Sequence, residues 1–140
     1  MQMRIKERSM RYPIILVSLL GLLASTPETV RKNIKIMDPW VHETSASSTL
    51  LHVTIANIDR RADRLLRARA SVAAKVAIRD QFGNEGGFSI PGHAEFVIGD
   101  GFPRVELLGL TEKLRAQSSF NLLLVFEQAG KVNIEVDINK

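Results

Sequence analysis

Three histidines are the side chains of this sequence best suited to binding a metal ion. They are His42, His52 and His93. Neutral imidazole is a common ligand of zinc, copper and nickel, so three of them could together hold one ion. The three lie in separate predicted segments, and their spacing does not bring them together. The sequence therefore favours ordinary surface histidines, with a three-histidine metal site as the alternative.

Soft metal donors are nearly absent. The 140 residues contain no cysteine, which excludes a thiolate metal site, a disulfide framework and a thiol nucleophile, and leaves no thiol for lipid attachment. Beyond residue 24 the only methionine is Met37. A site for a soft ion would have to be built almost without sulfur.

Motifs of catalysis are also absent. No serine sits in a G-x-S-x-G elbow, and there is no H-E-x-x-H helix and no phosphate loop ending in G-K-[ST]. Glu95, Asp100 and Glu106 could be combined into an acid–base pair, but such charges near the mouth of a β-barrel are usually solvated. We predict that the chain is not an enzyme.

The first 24 residues resemble a secretory signal of the Gram-negative type. A basic start is followed by the apolar run Ile14–Ala24, which is shorter than the roughly 20 residues of a membrane span. We predict a signal peptide at 1–24, a linker at 25–33, a single domain at 34–140 and secretion to the periplasm. An uncleaved anchor and a buried N-terminal helix remain the alternatives, and with an uncleaved anchor the membrane would be a partner only through this segment.

Removing this segment changes the charge balance. Of 19 basic and 15 acidic residues, four and one lie in residues 1–24, which leaves 15 against 14, or +1. The basic character is mostly that of the signal, so the domain is not predicted to bind nucleic acid. Five arginines between Arg60 and Arg69 could form an anion patch, but a solvated strand or turn edge is favoured.

The domain itself is predicted to be all-β. Residues Val132, Ile134, Val136 and Ile138 alternate with polar residues, which indicates a half-buried strand. The run 120–126 is nearly all apolar and predicts a central strand with both faces covered. Further strands are expected at 34–42, interrupted by Asp38-Pro39, and at 49–57, with one helical turn possible in 111–119. Trp40 is predicted to be a core anchor.

The order of these segments resembles the PCu(A)C family of periplasmic copper chaperones. The resemblance covers residues 34–138 and is carried by I-K-I-M-D-P-W, H-V-T-I-A-N, the segment from A-D-R-L-L-R to K-V-A-I, V-E-L-L-G-L-T-E-K-L and L-V-F-E-Q-A-G-K-V-N-I-E-V. It implies a cupredoxin-like antiparallel Greek-key barrel or sandwich, preceded by an N-terminal signal helix. It also implies Cu(I) as the bound metal.

The ligand positions that the resemblance implies hold other residues here. The family's first His falls on Arg79, and its paired His and Met fall on Arg104 and Glu106, inside the stretch from Gly99 to Leu110. A permanently protonated guanidinium offers no lone pair to Cu(I). We expect Arg79 and Arg104 to form ion pairs with Glu106 or Asp80 instead.

Two functions of different classes follow. The first is the role that the resemblance implies, Cu(I) binding and delivery for cytochrome oxidase assembly, with an assembly factor or another periplasmic protein as partner. The second is a metal-free secreted module that keeps the barrel and binds a partner protein near Arg79, Arg104 and Glu106.

Overall fold

A computed structural model describes residues 28–140, so the predicted signal helix at 1–24 lies outside the described residues. No helix occurs between residues 28 and 140, and hence none there that could cross a membrane. The strands, in chain order, are β1 (Glu28–Arg31), β2 (Ile34–His42), β3 (Ser48–Leu50), β4 (His52–Asn57), β5 (Asp63–Ala70), β6 (Ala73–Arg79), β7 (Phe88–Ile90), β8 (Glu95–Ile98), β9 (Arg104–Leu110), β10 (Ser119–Phe126) and β11 (Gly130–Asn139).

All the strands join one sheet in the order β8-β4-β2-β11-β10-β5-β6-β9-β3, with β1 added beside β2 and β7 beside β5. Every pair is antiparallel except β2 with β11. Strands β3 and β4 are separated in sequence only by Leu51, yet they lie near opposite ends of this order. The sheet must therefore curl into an open half-barrel, which confirms the predicted all-β, cupredoxin-like class.

The concave side of the sheet holds one apolar core. Strand β11 buries Val132, Ile134, Val136 and Ile138 and exposes the residues between them, as predicted. Strand β10 is central, as predicted, because it lies between β11 and β5. Its second face is not covered, since Leu123 and Val125 are only half-buried. The long apolar run therefore forms an ordinary one-sided strand.

Three expectations differ locally from the structure. Residues Glu28–Arg31 lie within the predicted linker but form strand β1, paired with β2. The strand expected at 49–57 is divided at Leu51. The residues before Leu51, in β3, pair with β9, and those after it, in β4, pair with β2. The segment 111–119 forms no helical turn; Leu114 instead bridges to Thr44, which supplies the backbone hydrogen bonds that a helix would have supplied.

Trp40 does not anchor the core. The alternation that buries Ile34 and Ile36 would place residue 40 inside the barrel, but a bulge between Met37 and Trp40 inserts one extra residue. Asp38 has a positive φ of 52°, a conformation that aspartate tolerates better than most side chains. Pro39 is buried in consequence, and Trp40 and His42 turn to the outer face.

A buried polar hub ties several segments together at the start of β5. Asp63 is 2% exposed, and its carboxylate accepts hydrogen bonds from the Asn33 side chain at 3.0 Å and from three backbone N–H groups, at Arg64, Gln128 and Ala129. The neighbouring Asn57 donates to the carbonyls of residues 61 and 90. Four chain segments thus depend on two side chains.

Removing this carboxylate should destabilise the fold. We expect Asp63→Ala to lower the free energy of unfolding by about 3 kcal/mol at pH 7, because buried N–H donors lose their acceptor. Urea denaturation measures this. Asp59→Ala is the control, since Asp59 is exposed and its carboxylate accepts only a local hydrogen bond from the backbone N–H of Arg60; its effect should stay below about 1 kcal/mol. Equal effects of the two substitutions would contradict the hub.

The Asp63 contribution should also depend on pH. Burial alone would raise the pKa of Asp63, but hydrogen bonds from Asn33 and from the three backbone N–H groups outweigh it and lower the pKa below 3.8. A depressed folded-state pKa stabilises the fold fully above 3.8, and this stability is lost as the pH falls through the folded pKa. The stability gap between the wild type and Asp63→Ala should therefore shrink in acid; a constant gap from pH 7 to pH 2 would contradict this.

Candidate functional site

The outer face of β6 and β9 carries a charge cluster. Arg79 and Arg104 are register partners on these two strands, and Glu106 lies two residues beyond Arg104 on β9, opposite Ala77. The Nε of Arg79 is 2.9 Å from one carboxylate oxygen of Glu106, and a terminal guanidinium nitrogen of Arg104 is 3.6 Å from the other. The Glu106 side chain is 16% exposed, so both of its oxygens are engaged at a partly desolvated position. The expected ion pairs with Glu106 are therefore present.

Asp80 has a different role from the pairing considered for it. Its carboxylate accepts the backbone N–H groups of Phe82 and Asn84, at 2.9 and 3.0 Å. This turn brings Gly83 back to β6, where its carbonyl accepts a long hydrogen bond of 3.4 Å from Arg79. Asp80 thus shapes the loop beside the cluster.

Phe102 links this loop to the next one. A Cβ built on Gly83 would lie 3.6 Å from the Phe102 ring, and the Arg104 guanidinium stands 4.0 Å from the ring centroid on a cation–π contact. Arg104 also donates to the backbone carbonyls of Asp100 and Gly101. The cluster and both loops therefore form one connected surface.

The charge cluster does not fit Cu(I). Two of its three members are permanently protonated donors, and the third is a carboxylate, a hard donor whose two oxygens already face guanidinium groups. The assignment of these residues to the family's ligand positions remains a prediction from sequence. Their chemistry in the structure is that of ion pairs.

Two of the histidines lie close together on the other side of the loop 99–103. The bulge in β2 places Trp40 and His42 on the outer face, and Trp40 is the register partner of His52 on β4. The Trp40 and His52 rings stack with centroids 4.0 Å apart, and the centroids of His42 and His52 are 5.6 Å apart. Two of the three predicted candidate histidines are therefore neighbours.

His93 lies elsewhere. It sits in the turn before β8, where its backbone N–H donates to the carbonyl of Asp59 beyond the far end of β4. Five residues of strand separate that end from His52, a span of about 17 Å. The three histidines do not converge, and among residues 28–140 no group of three or more His, Cys, Asp or Glu side chains is arranged to hold a metal ion.

The sequence did not single out Asp100 and Trp40 as partners of the histidines. One carboxylate oxygen of Asp100 is 3.8 Å from Nε2 of His52, while a Cβ at Gly99 would come within 3.0 Å of Nδ1 of the same ring. The contacts depend on the register between β4 and β8. The only local sequence signal of this arrangement is Asp38-Pro39, which marks the break in β2 that turns Trp40 and His42 outward.

Three influences act on the pKa of His52. Desolvation by burial is the largest and lowers it; the negative charge of Asp100 raises it, and His42 lowers it again. The net pKa lies below the ordinary 6.5. The imidazole is therefore mainly neutral at pH 7 and keeps a lone pair for a ligand.

An NMR titration should show the combined effect of burial, Asp100 and His42 on the pKa of His52. We expect its ring proton to titrate below pH 6.5, at a still lower pH in Asp100→Asn and at a higher pH in His42→Ala. The depressed pKa should also make the fold most stable above 6.5, with stability lost as the pH falls through the folded pKa. A His52 midpoint above 6.5, or no response to Asp100→Asn, would contradict the contact with Asp100.

Solved structures with the same fold are copper-protein domains. The copper-bound PCuAC domain of PmoF2 is 23% identical, covers 81% of this chain and 97% of its own, and superposes with a TM-score of 0.74. For the apo PCuAC domain of PmoF1 the values are 22%, 81%, 98% and 0.76. The Cu(I) form of DR1885 from Deinococcus radiodurans is 17% identical, with 87% and 85% coverage and a TM-score of 0.63. At these identities the likeness establishes the fold.

Family membership comes from the sequence match. No curated protein sequence matches the chain. The LpqE-like family, described as putative lipoprotein LpqE-like, matches residues 34–138, the same residues that carry the resemblance to PCu(A)C proteins. The chain belongs to the LpqE-like family and has the fold of PCuAC copper-chaperone domains.

Proposed function

We propose that this protein is a secreted, periplasmic interaction module that binds a partner protein through the surface around Glu106 and holds no Cu(I) there. The observation that carries the proposal is the state of Glu106, whose two carboxylate oxygens each face an arginine. Cu(I) would need a soft donor at this position, but the position holds a carboxylate that is paired with two guanidinium groups. This pairing favours the metal-free, partner-binding function over Cu(I) binding at this surface.

The composition of this surface suits a protein partner. Phe82 is 79% exposed and Phe102 48% exposed, beside Arg79 and Arg104. Aromatic residues and arginine are enriched at protein interfaces and supply most of their hot spots. We call Arg79, Phe82, Phe102, Arg104 and Glu106 the Phe–Arg surface. The family resemblance suggests a cytochrome oxidase assembly factor, or another periplasmic protein, as its partner.

Cu(I) binding and delivery is the second candidate function. Membership in a family with the PCuAC fold supports it, as does the copper-bound state of a solved relative. It would require a site other than the Phe–Arg surface, because that surface offers no soft donor. The two candidate functions therefore differ in whether the protein binds Cu(I).

Loss of the exposed aromatic rings should weaken partner binding. We expect the double variant Phe82→Ser and Phe102→Ser to bind an envelope partner at least tenfold more weakly, since buried aromatic anchors dominate interface energies. Affinity capture from an envelope fraction, identification of the retained protein and titration of the two purified proteins measure this. Ile58→Ser is the matched control, because Ile58 is 52% exposed in a different turn. Equal binding by the double variant, or equal loss in the control, would overturn the proposal.

Restoring soft donors at the three positions should create Cu(I) binding. We expect the triple variant Arg79→His, Arg104→His and Glu106→Met to gain one Cu(I) per chain against a colorimetric chelator under reducing conditions. Lys75→His with Leu108→Met is the control, because these residues form the next outward-facing register pair along the same strands. It should gain no site. If the wild type bound one Cu(I) per chain and Glu106→Ala did not, the proposal that no Cu(I) binds at Glu106 would be refuted.

A further inference from the structure

We propose that His42, His52 and Asp100 form a binding site for one divalent transition-metal ion, with Cu(II) bound more tightly than Zn(II). The site shares no residue with the Phe–Arg surface, so it stands or falls independently of the proposed partner binding. Two imidazoles and one carboxylate would supply three donors and leave a coordination position open to water or to another molecule.

The two imidazoles already have a spacing that one ion can bridge. At a metal–nitrogen distance of about 2.0–2.1 Å, the centroids of two bound rings lie roughly 5–6 Å apart. Those of His42 and His52 are 5.6 Å apart, and their planes are nearly perpendicular. His42 is exposed at the end of β2, so its ring can turn toward the ion without disturbing the core.

Asp100 is placed to be the third donor. Its carboxylate oxygen lies 3.8 Å from Nε2 of His52, whereas donors bound to one ion at about 2.0–2.2 Å are roughly 3–3.5 Å apart. The Asp100 side chain is 87% exposed, so a rotation can close this gap. Before that rotation the three groups do not form a complete site.

Trp40 and Gly99 hold the His52 ring in place. Trp40 stacks on one face of the ring at 4.0 Å, and Gly99 approaches Nδ1 so closely that a Cβ there would be only 3.0 Å from it. The remaining nitrogen, Nε2, faces Asp100. Because burial lowers the pKa of His52, the ring is mainly neutral at pH 7 and one of its two nitrogens carries a lone pair. The ring is thus oriented before an ion arrives.

The donor set selects the ion. Imidazole and carboxylate suit borderline divalent ions, and the absence of thiolate and thioether among the three groups disfavours Cu(I). For a given set of nitrogen and oxygen donors, affinity rises along the first-row series to Cu(II) and falls at Zn(II). The site is therefore chemically different from the soft-donor site that the family resemblance implies.

Trp40 provides a direct probe, because it is the only tryptophan of the chain and contacts the proposed site. We expect one equivalent of Cu(II) to quench its fluorescence in protein prepared without a histidine tag, and the electron paramagnetic resonance spectrum to show nitrogen ligands. Zn(II) should bind more weakly and compete. Failure of Cu(II) to bind, or binding that leaves Trp40 fluorescence unchanged, would overturn the site.

Variants identify the ligands. His42→Ala and His52→Ala should each weaken Cu(II) binding at least tenfold, and Asp100→Asn should weaken it by a smaller factor. His93→Ala is the matched control and should bind like the wild type, because His93 lies beyond the far end of β4. Circular dichroism verifies folding of each variant. Unchanged affinity in the double variant His42→Ala and His52→Ala, or equal weakening in His93→Ala, would refute the proposal.

Discussion

The carboxylate of Asp63 is the interaction on which much of this structure depends. It is buried, and it accepts hydrogen bonds from Asn33, from the start of its own strand and from the turn between β10 and β11. A buried charge is tolerated only where several donors compensate for its lost hydration. With Asn57 beside it, Asp63 joins the beginning of β2, the end of β4 and the central strands. This hub lies at the opposite end of β4 from His52, so the residues that hold the sheet together here are separate from the outer face around His52.

A single bulge determines which chemistry the outer face carries. Without the extra residue at Asp38, strict alternation would bury Trp40 and His42 and would expose Pro39 and Val41. With it, the tryptophan and the histidine join His52 outside, and the apolar Val41 enters the core. Bulges are common next to functional sites because they redirect side chains without changing the fold. The position of the two histidines on the outer face thus depends on this bulge, at some distance from Glu106 on the scaffold shared with the PCuAC domains.

The loop 99–103 connects these two outer surfaces. On one side its backbone carbonyls accept the Arg104 guanidinium, and Phe102 packs over Gly83. On the other side Gly99 and Asp100 meet the His52 ring. A movement of this loop would act on both surfaces together. The loop thus lies between a surface of aromatic rings and paired charges and a group of imidazole and carboxylate side chains.

The sequence alone determined most of the strands, most of the core and the absence of soft metal donors. Period-two alternation in β11 and the apolar run of β10 sufficed for the all-β class, because these signals are local; the cupredoxin-like barrel was implied by the resemblance of the segment order to the PCu(A)C family. The absence of cysteine and the arginines at 79 and 104 sufficed to predict ion pairing with Glu106 in place of soft donors. Only the tertiary structure decided that Trp40 faces outward, that residues 28–31 form a strand, and that His42 and His52 meet while His93 stays apart. These outcomes depend on strand register and on one inserted residue at Asp38, and a shift of one residue exchanges the two faces of a strand while leaving its composition unchanged.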